Sequence, residues 1–223
     1  YMKSHTVRGL MIHSAREAGS YNGPDYEYGW GIPDAITMAN VISDTNHNNF
    51  LFEVNTLANN SVFSKEITID AVQNLDFTIS WTDPAAATQN NNTVDDRTPM
   101  IVNNLDLKVF KLNLDGSIEQ TFYPWKLNPA AISSSATNNS DNDVDNVEKV
   151  QIYNAQPGNY RIQVSHKGTL TRAEEFSLVG TFPQGVLSTQ NFAQANLKLY
   201  PNPASEKLFI EGSDLQLFEN ASI

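Results

Sequence analysis

The chain has 223 residues, a formal net charge of -11 and an isoelectric point near 4.6; 40% of it is hydrophobic, 17% is charged and none is cysteine. That length admits one large or two small domains. The acidity excludes phosphate-backbone binding, which draws its affinity from Lys and Arg, and the missing thiols exclude disulfides, zinc–thiolate centres and thiol catalysis. No apolar run approaches the ~20 residues that span a bilayer, so no transmembrane segment is expected. Residues 1–20 lack the basic start and apolar middle of a signal peptide, and any export signal is expected upstream of Tyr1.

In chain order, the first element reads as a helix. Ser4 is placed to cap it, Val7, Leu10, Met11, Ser14 and Ala15 recur at helical spacing, and Gly19 offers a left-handed stop. Residues 20–31, Ser-Tyr-Asn-Gly-Pro-Asp-Tyr-Glu-Tyr-Gly-Trp-Gly, are too rich in glycine and aromatics for a helix. Pro33 then opens a second helical pattern through Ile36, Ala39, Val41 and Ile42. Residues 1–46 therefore form helix, glycine-rich loop and helix, a unit too small to bury its own apolar faces and expected to be the end of something larger.

From Phe50 the period becomes strand-like: Phe50 to Val54, Glu66 to Ile69, Leu75 to Trp81, Leu105 to Leu112, Val147 to Tyr153, Tyr160 to Val164 and Phe176 to Phe182. Turns at Asp83-Pro84, Asp115-Gly116 and Pro157-Gly158 separate them, which favours a mainly β, antiparallel β-sandwich of jelly-roll type over residues 48–183. Gln89 to Asp96 and Ser133 to Asp145 are rich in Asn, Asp, Ser and Thr, as mobile loops or metal-binding loops are. Residues 184–195 read as a linker. Residues 196–223 open a new strand pair around Leu197 to Ser205 and the alternating Lys207 to Glu211.

Three sets of residues resemble known families. Val7-Arg8-Gly9-Leu10-Met11-Ile12-His13-Ser14-Ala15, then Gly23 to Gly31, then Asp34-Ala35 resemble the end of the catalytic domain of subtilisin-like serine proteases, where a helix ending in Thr/Ser-Ala precedes a Gly-x-Gly loop and a final helix. Ile79-Ser80-Trp81-Thr82-Asp83-Pro84, Ile101 to Leu107 and Asp145-Asn146-Val147-Glu148 resemble the jelly-roll domain that follows some alkaline subtilases. In that domain the second motif usually reads Asn-Asp-Leu-Asp-Leu, and here Asn104 stands for its first Asp. Tyr200-Pro201-Asn202-Pro203 is similar to the start of the sorting domain of proteins exported by type IX secretion.

The resemblance implies a fragment of a secreted serine endopeptidase from a Gram-negative bacterium, carried to the exterior or the cell surface. Residues 1–46 would then be the helical end of an α/β subtilisin domain, and 196–223 the start of an export signal recognised by the secretion machinery. Protein or peptide substrates would bind the absent catalytic domain. Subtilase chemistry needs a Ser nucleophile, a His base, an Asp and an oxyanion-hole Asn, and none can be placed in this chain. His13 and Ser14 are adjacent and cannot face one another on a helix, so His13 reads as structural, and no His-Glu-x-x-His spacing accompanies His5, His47 or His166.

Calcium is the cofactor the acidic loops suit, since Asp, Asn and backbone carbonyls supply hard oxygen ligands. Asp83, Asp106, Asp145 and Asn146 are the candidate ligands. Asp141, Asn142, Asp143 and Asp145 resemble an EF-hand loop only superficially, because its Gly and bidentate Glu are missing. An alternative function is a non-catalytic adhesion or carbohydrate-binding module using Trp81, Tyr123, Trp125, Tyr153 and Tyr160, although strand aromatics are more often core. A third is structural cargo of the secretion system. Neither explains the helix–loop–helix of residues 1–46.

Overall fold

The computed structural model describes residues 1–44, 49–87, 94, 96, 98–182, 198–200 and 209–211. Tyr1–Ser188 forms one compact unit and Thr189–Ile223 another. In the second unit, β9 (Lys198–Tyr200) pairs antiparallel with β10 (Phe209–Glu211), Tyr200 opposite Phe209. Pro201, Asn202 and Pro203 lie outside the described residues, as do His47 and the linker 184–195.

Among its described residues the first unit holds two helices, α1 (Ser4–Ser14) and α2 (Ala35–Ser43), and eight strands. These are β1 (Phe50–Leu57), β2 (Phe63–Ile69), β3 (Gln73–Trp81), β4 (Asn104–Leu112), β5 (Ile118–Phe122), β6 (Val147–Ala155), β7 (Gly158–Lys167) and β8 (Glu174–Thr181). One sheet runs β1-β8-β3-β6 and the other β2-β7-β4-β5, with every pairing antiparallel. Successive strands cross from one sheet to the other except at β4–β5, which are neighbours in the same sheet, the connectivity of an eight-stranded jelly roll.

Alternation along each strand builds the core. Leu75, Phe77, Ile79 and Trp81 of β3 pack between the sheets with Leu105, Leu107 and Val109 of β4, Tyr160, Ile162 and Val164 of β7, and Phe176 and Leu178 of β8. The residues between them on β3 and β8 point to the other face of that sheet. Thr78, Ser80 and Ser177 are nonetheless fully buried, because α1 covers them.

That cover explains where the helix departs from its sequence reading. Val7 and Met11 are exposed, while His5, Thr6, Gly9, Leu10, His13 and Ser14 face the sheet. The hydroxyl-rich sheet face accepts a polar helix face, so apolar spacing alone does not set the rotation of the helix. A Cβ at Gly9 would lie 2.9 Å from Ser177 Oγ and 3.1 Å from the Ser80 Cβ, so the helix sits as close as glycine permits. Ser4 is the first helical residue rather than the cap; Lys3 holds the cap position without a side-chain bond, and the helix stops at Ser14, ahead of Gly19. In α2 the cap is Asp34, whose Oδ1 accepts from the N–H groups of Ile36 at 3.0 Å and Thr37 at 3.2 Å.

The two loop glycines have different duties. Gly29 has φ +61° and open space where a Cβ would stand. At Gly31, with φ +91°, a Cβ would lie 2.1 Å from the Arg16 carbonyl oxygen, inside the bridge in which Arg16 and Ile32 exchange two 2.9 Å hydrogen bonds. Gly31→Ala is therefore expected to lower unfolding free energy by about 2 kcal/mol, from backbone strain and the loss of that bridge. Gly29→Ala is expected to cost less than about 1 kcal/mol. Urea denaturation of the two variants side by side checks the contrast, and equal losses would contradict it.

Candidate functional site

Two polar clusters flank the jelly roll, one beneath α1 and one at the joined ends of β4, β7 and the loop before β6. Beneath α1, Arg8 reaches across the sheet end. Its Nε donates to Ser80 Oγ at 3.0 Å, and its Nη2 donates to the carbonyls of Trp81 at 2.5 Å and Asn146 at 2.9 Å. Lys149 of β6, also buried, donates to the carbonyls of His13 at 3.2 Å and Ile12 at 3.4 Å. A cation there suits the negative end of the helix and satisfies carbonyls the last turn leaves open. Burial pulls the Lys149 ammonium down from its ordinary pKa, with Asp76 and Glu17 opposing.

The three described histidines have structural surroundings. His13 is enclosed, with Nδ1 2.9 Å from Thr78 Oγ1 and Nε2 2.6 Å from Thr181 Oγ1, and burial, reinforced by Lys149, holds its pKa well below the ordinary value. His5 lies 3.3 Å from Thr82 Oγ1 and 3.4 Å from Glu175, and His166 Nε2 accepts from the N–H of Asn60 at 2.8 Å. Among the described residues no histidine bonds a serine hydroxyl, the pairing a Ser–His hydrolase needs.

The four candidate calcium ligands divide. Asp83, Asp145 and Asn146 line one open cavity of about 230 Å³ with Met100, Ile101 and Val144. Asp83 is engaged there, its two oxygens accepting from the N–H groups of Val102 and Asn103, each at 2.7 Å. Asp145 accepts from Asn142 Nδ2 at 2.8 Å, and Asn146 donates to the Trp81 carbonyl at 3.2 Å. Asp106 stands apart, buried in the second cluster. Among the described residues no group of three or more His, Asp or Glu stands open to a metal ion; the three aspartates that do converge, in the second cluster, converge on a lysine.

The second cluster centres on Lys167, at the end of β7. Its Nζ lies 3.0 Å from Asp106 Oδ1 and 2.9 Å from Asp141 Oδ2, and it bonds Asp143 as well. Lys108, one side-chain period along β4 from Asp106, pairs with Asp141 at 3.0 Å. Asn104 donates to Asp143 Oδ1 at 2.9 Å. Glu148 closes the inner side: fully buried, its Oε2 accepts from the Leu107 N–H at 2.6 Å. That N–H is free for it because β4 pairs β5 only from Val109 onward.

The acids of this cluster respond to opposite influences. Burial pushes Asp106 up, against the Lys167 bond, and pushes Glu148 well up, with Asp106 and Asp141 adding to it. Asp141 is also partly desolvated, yet its bonds to Lys167 and Lys108 prevail and hold it low. Asp143 is lowered by Lys167. Lys167 loses something to desolvation and is raised overall by Asp143, Asp141 and Asp106.

Comparison with known proteins adds little to this geometry. No family model matches the chain, and no curated protein matches it. Among solved structures, a protein of Sulfurospirillum deleyianum is similar at 11% identity and a TM-score of 0.31, over 60% of this chain and 98% of its own. A Yersinia pseudotuberculosis-derived mitogen is similar at 10% identity and a TM-score of 0.28, over 63% of this chain and 96% of its own.

Sequence reasoning had reached Asp106 and, within a motif, Glu148, but it missed Lys167 and Lys108, for which no local pattern exists. It had rejected Asp141 and Asp143 as an EF-hand, and they serve instead as ion-pair partners of lysines. Of the aromatics considered as a sugar platform, Trp81, Trp125 and Tyr160 are buried and only Tyr153 is exposed. Among the described helices none is long and apolar enough to cross a membrane.

Proposed function

We propose that this chain is the C-terminal part of a secreted subtilisin-like serine endopeptidase, in which the jelly roll braces the catalytic domain and the segment from Tyr200 onward addresses the protein to type IX secretion. The observation that carries this reading is the two-sidedness of residues 1–43. One face of α1 is keyed to the jelly roll through Arg8, Gly9 and His13, while Val7 and Met11 on α1, Ile32, and Ile36 and Ile42 on α2 stand exposed. An apolar surface of that kind suits a protein partner, and in the resemblance set out above the body of a subtilisin domain lies against it. The close approach at Gly31 and the Asp34 cap give that segment the tight turn and helix start of the motif. The chemistry belongs to the upstream body; the role of these residues is to hold that body on a rigid support and, with calcium where the cavity at Asp83 admits it, to keep it folded outside the cell.

The test uses the parent polypeptide extended upstream of Tyr1. It is expected to react with a fluorophosphonate, which labels activated serines, and to hydrolyse casein, whereas residues 1–223 alone do neither. An extended polypeptide that is folded, unlabelled and inactive defeats the protease reading. For the tail, the intact mass of the exported protein is expected to lack residues 200–223, and a mass that retains them defeats the sorting reading.

A further inference from the structure

We propose that Lys167 is a tethered cation: its ammonium fills an oxygen cage formed by Asp106, Asp141 and Asp143 that would otherwise suit a divalent ion, so that this corner of the jelly roll is braced from within and needs no calcium. This stands on the second cluster alone and does not depend on the protease reading.

Three features support it. The first is stoichiometric. The Lys167 ammonium lies against three carboxylates, hydrogen-bonded to Asp143 and ion-paired with Asp106 and Asp141, so that one side chain of β7 joins β4 to the loop before β6. An ion at a strand junction would join the same segments.

The second is the surplus of oxygen. Asn104 Oδ1 and Glu148 Oε1 are buried and have no hydrogen-bond partner, and the Oδ1 atoms of Asp106 and Asp141 meet lysine only as ion pairs. Glu148 is fully buried and close enough to Asp106 and Asp141 to feel both charges. A lysine uses three acceptors and leaves the others idle; calcium takes six to eight oxygens and would employ them. Buried acceptors without partners are rare enough in folded proteins to need such a cause.

The third is access. The Lys167 stem enters from the half-exposed end of β7, with 39% of its side chain open to solvent, while Asp106 beneath it is 4% open. A side chain arriving from the rim is the part of the cage that can be removed without disturbing the strands. Removing it leaves three aspartates around a vacated centre, with Asn104 still bonded to Asp143 and Lys108 still paired to Asp141.

The experiment measures thermal unfolding of the full chain in excess EDTA and in millimolar calcium chloride, for wild type, Lys167→Met, Asp106→Asn and the double variant. Wild type is expected to unfold at the same temperature in both media, apart from any rise that Asp106→Asn leaves in place. Lys167→Met is expected to fall by roughly 5 °C in EDTA and to recover in calcium, and the double variant is expected not to recover. Terbium luminescence sensitised by nearby Tyr123 should appear with Lys167→Met and not with wild type. A wild-type calcium response that Asp106→Asn abolishes, or terbium bound at Asp106 in wild type, overturns the proposal without requiring any lysine variant to fold. A Lys167→Met protein that is unaffected in EDTA, or destabilised and not restored by calcium, overturns it too.

Discussion

Trp81→Ala is expected to lower the unfolding free energy by about 4 kcal/mol, a large share of the 5–15 kcal/mol typical of a domain. Trp81 is completely enclosed at the end of β3, and its indole Nε1 donates to the Asn103 carbonyl at 2.9 Å. Deletion would leave a cavity the size of the indole and an unpaired buried carbonyl in the same place. The damage would reach further, because Asn103 is itself a junction. Its Nδ2 donates to Glu174 at 2.6 Å, its Oδ1 accepts from the N–H of Thr171 at 2.9 Å, and its N–H is held by Asp83.

Trp81→Phe separates the contributions: it keeps most of the volume and loses the hydrogen bond, so about 1–3 kcal/mol is expected. Urea unfolding with a probe other than tryptophan fluorescence gives both numbers. A loss below about 1 kcal/mol for Trp81→Ala would mean that the Asn103 network holds the strand end without the indole.

The strands were legible because jelly-roll strands alternate. Seven of the eight lie where β-branched and aromatic runs place them, and the eighth, β5, was missed because Ile118-Glu119-Gln120-Thr121-Phe122 is a short edge strand whose first three residues are exposed. Helix existence was legible and helix orientation was not. Helical spacing marks Val7, Leu10 and Met11 alike, yet of the three only Leu10 is buried, because the sheet that α1 meets presents Thr78, Ser80 and Ser177, and those residues select His13, Arg8 and Gly9.

The same limit governs the site. Asp106 and Glu148 sit in recognisable strings, but what neutralises them is Lys167, brought in by the β4–β7 register that sets Asn104 opposite it. No local pattern encodes a partner so distant along the chain. Gly29 and Gly31 look equivalent in the sequence, and only the Arg16 carbonyl distinguishes them.

Acid is expected to weaken the α1 junction through His13. The ring is buried between Thr78 on β3 and Thr181 on β8, with Lys149 of β6 adding a positive charge nearby; Asp76 and Glu17 act on that lysine. Its proton affinity in the folded state is thus well below the ordinary value of 6.5, whereas in the unfolded chain it is ordinary. The unfolded chain therefore binds the proton first as pH falls, and stability is lost progressively below 6.5 by up to about 1.4 kcal/mol per pH unit until the folded-state pKa is reached. His5, facing Glu175, Glu174, Lys3 and Arg8 and also lowered by burial, adds in the same direction.

Glu148, Asp106 and Asp76 oppose the trend. Burial raises all three, so the folded state takes up their protons before the unfolded chain does, and they return stability as pH falls through those raised values. His13→Gln isolates the histidine, because an amide can still donate to one threonine and accept from the other but carries no charge. Chemical denaturation at about pH 7 and about pH 5.5 should find wild type losing roughly 1 kcal/mol more than His13→Gln over that interval. Equal losses would place the acid sensitivity elsewhere, whereas a difference would mean that the contact between α1 and the jelly roll is held by a histidine that must remain neutral.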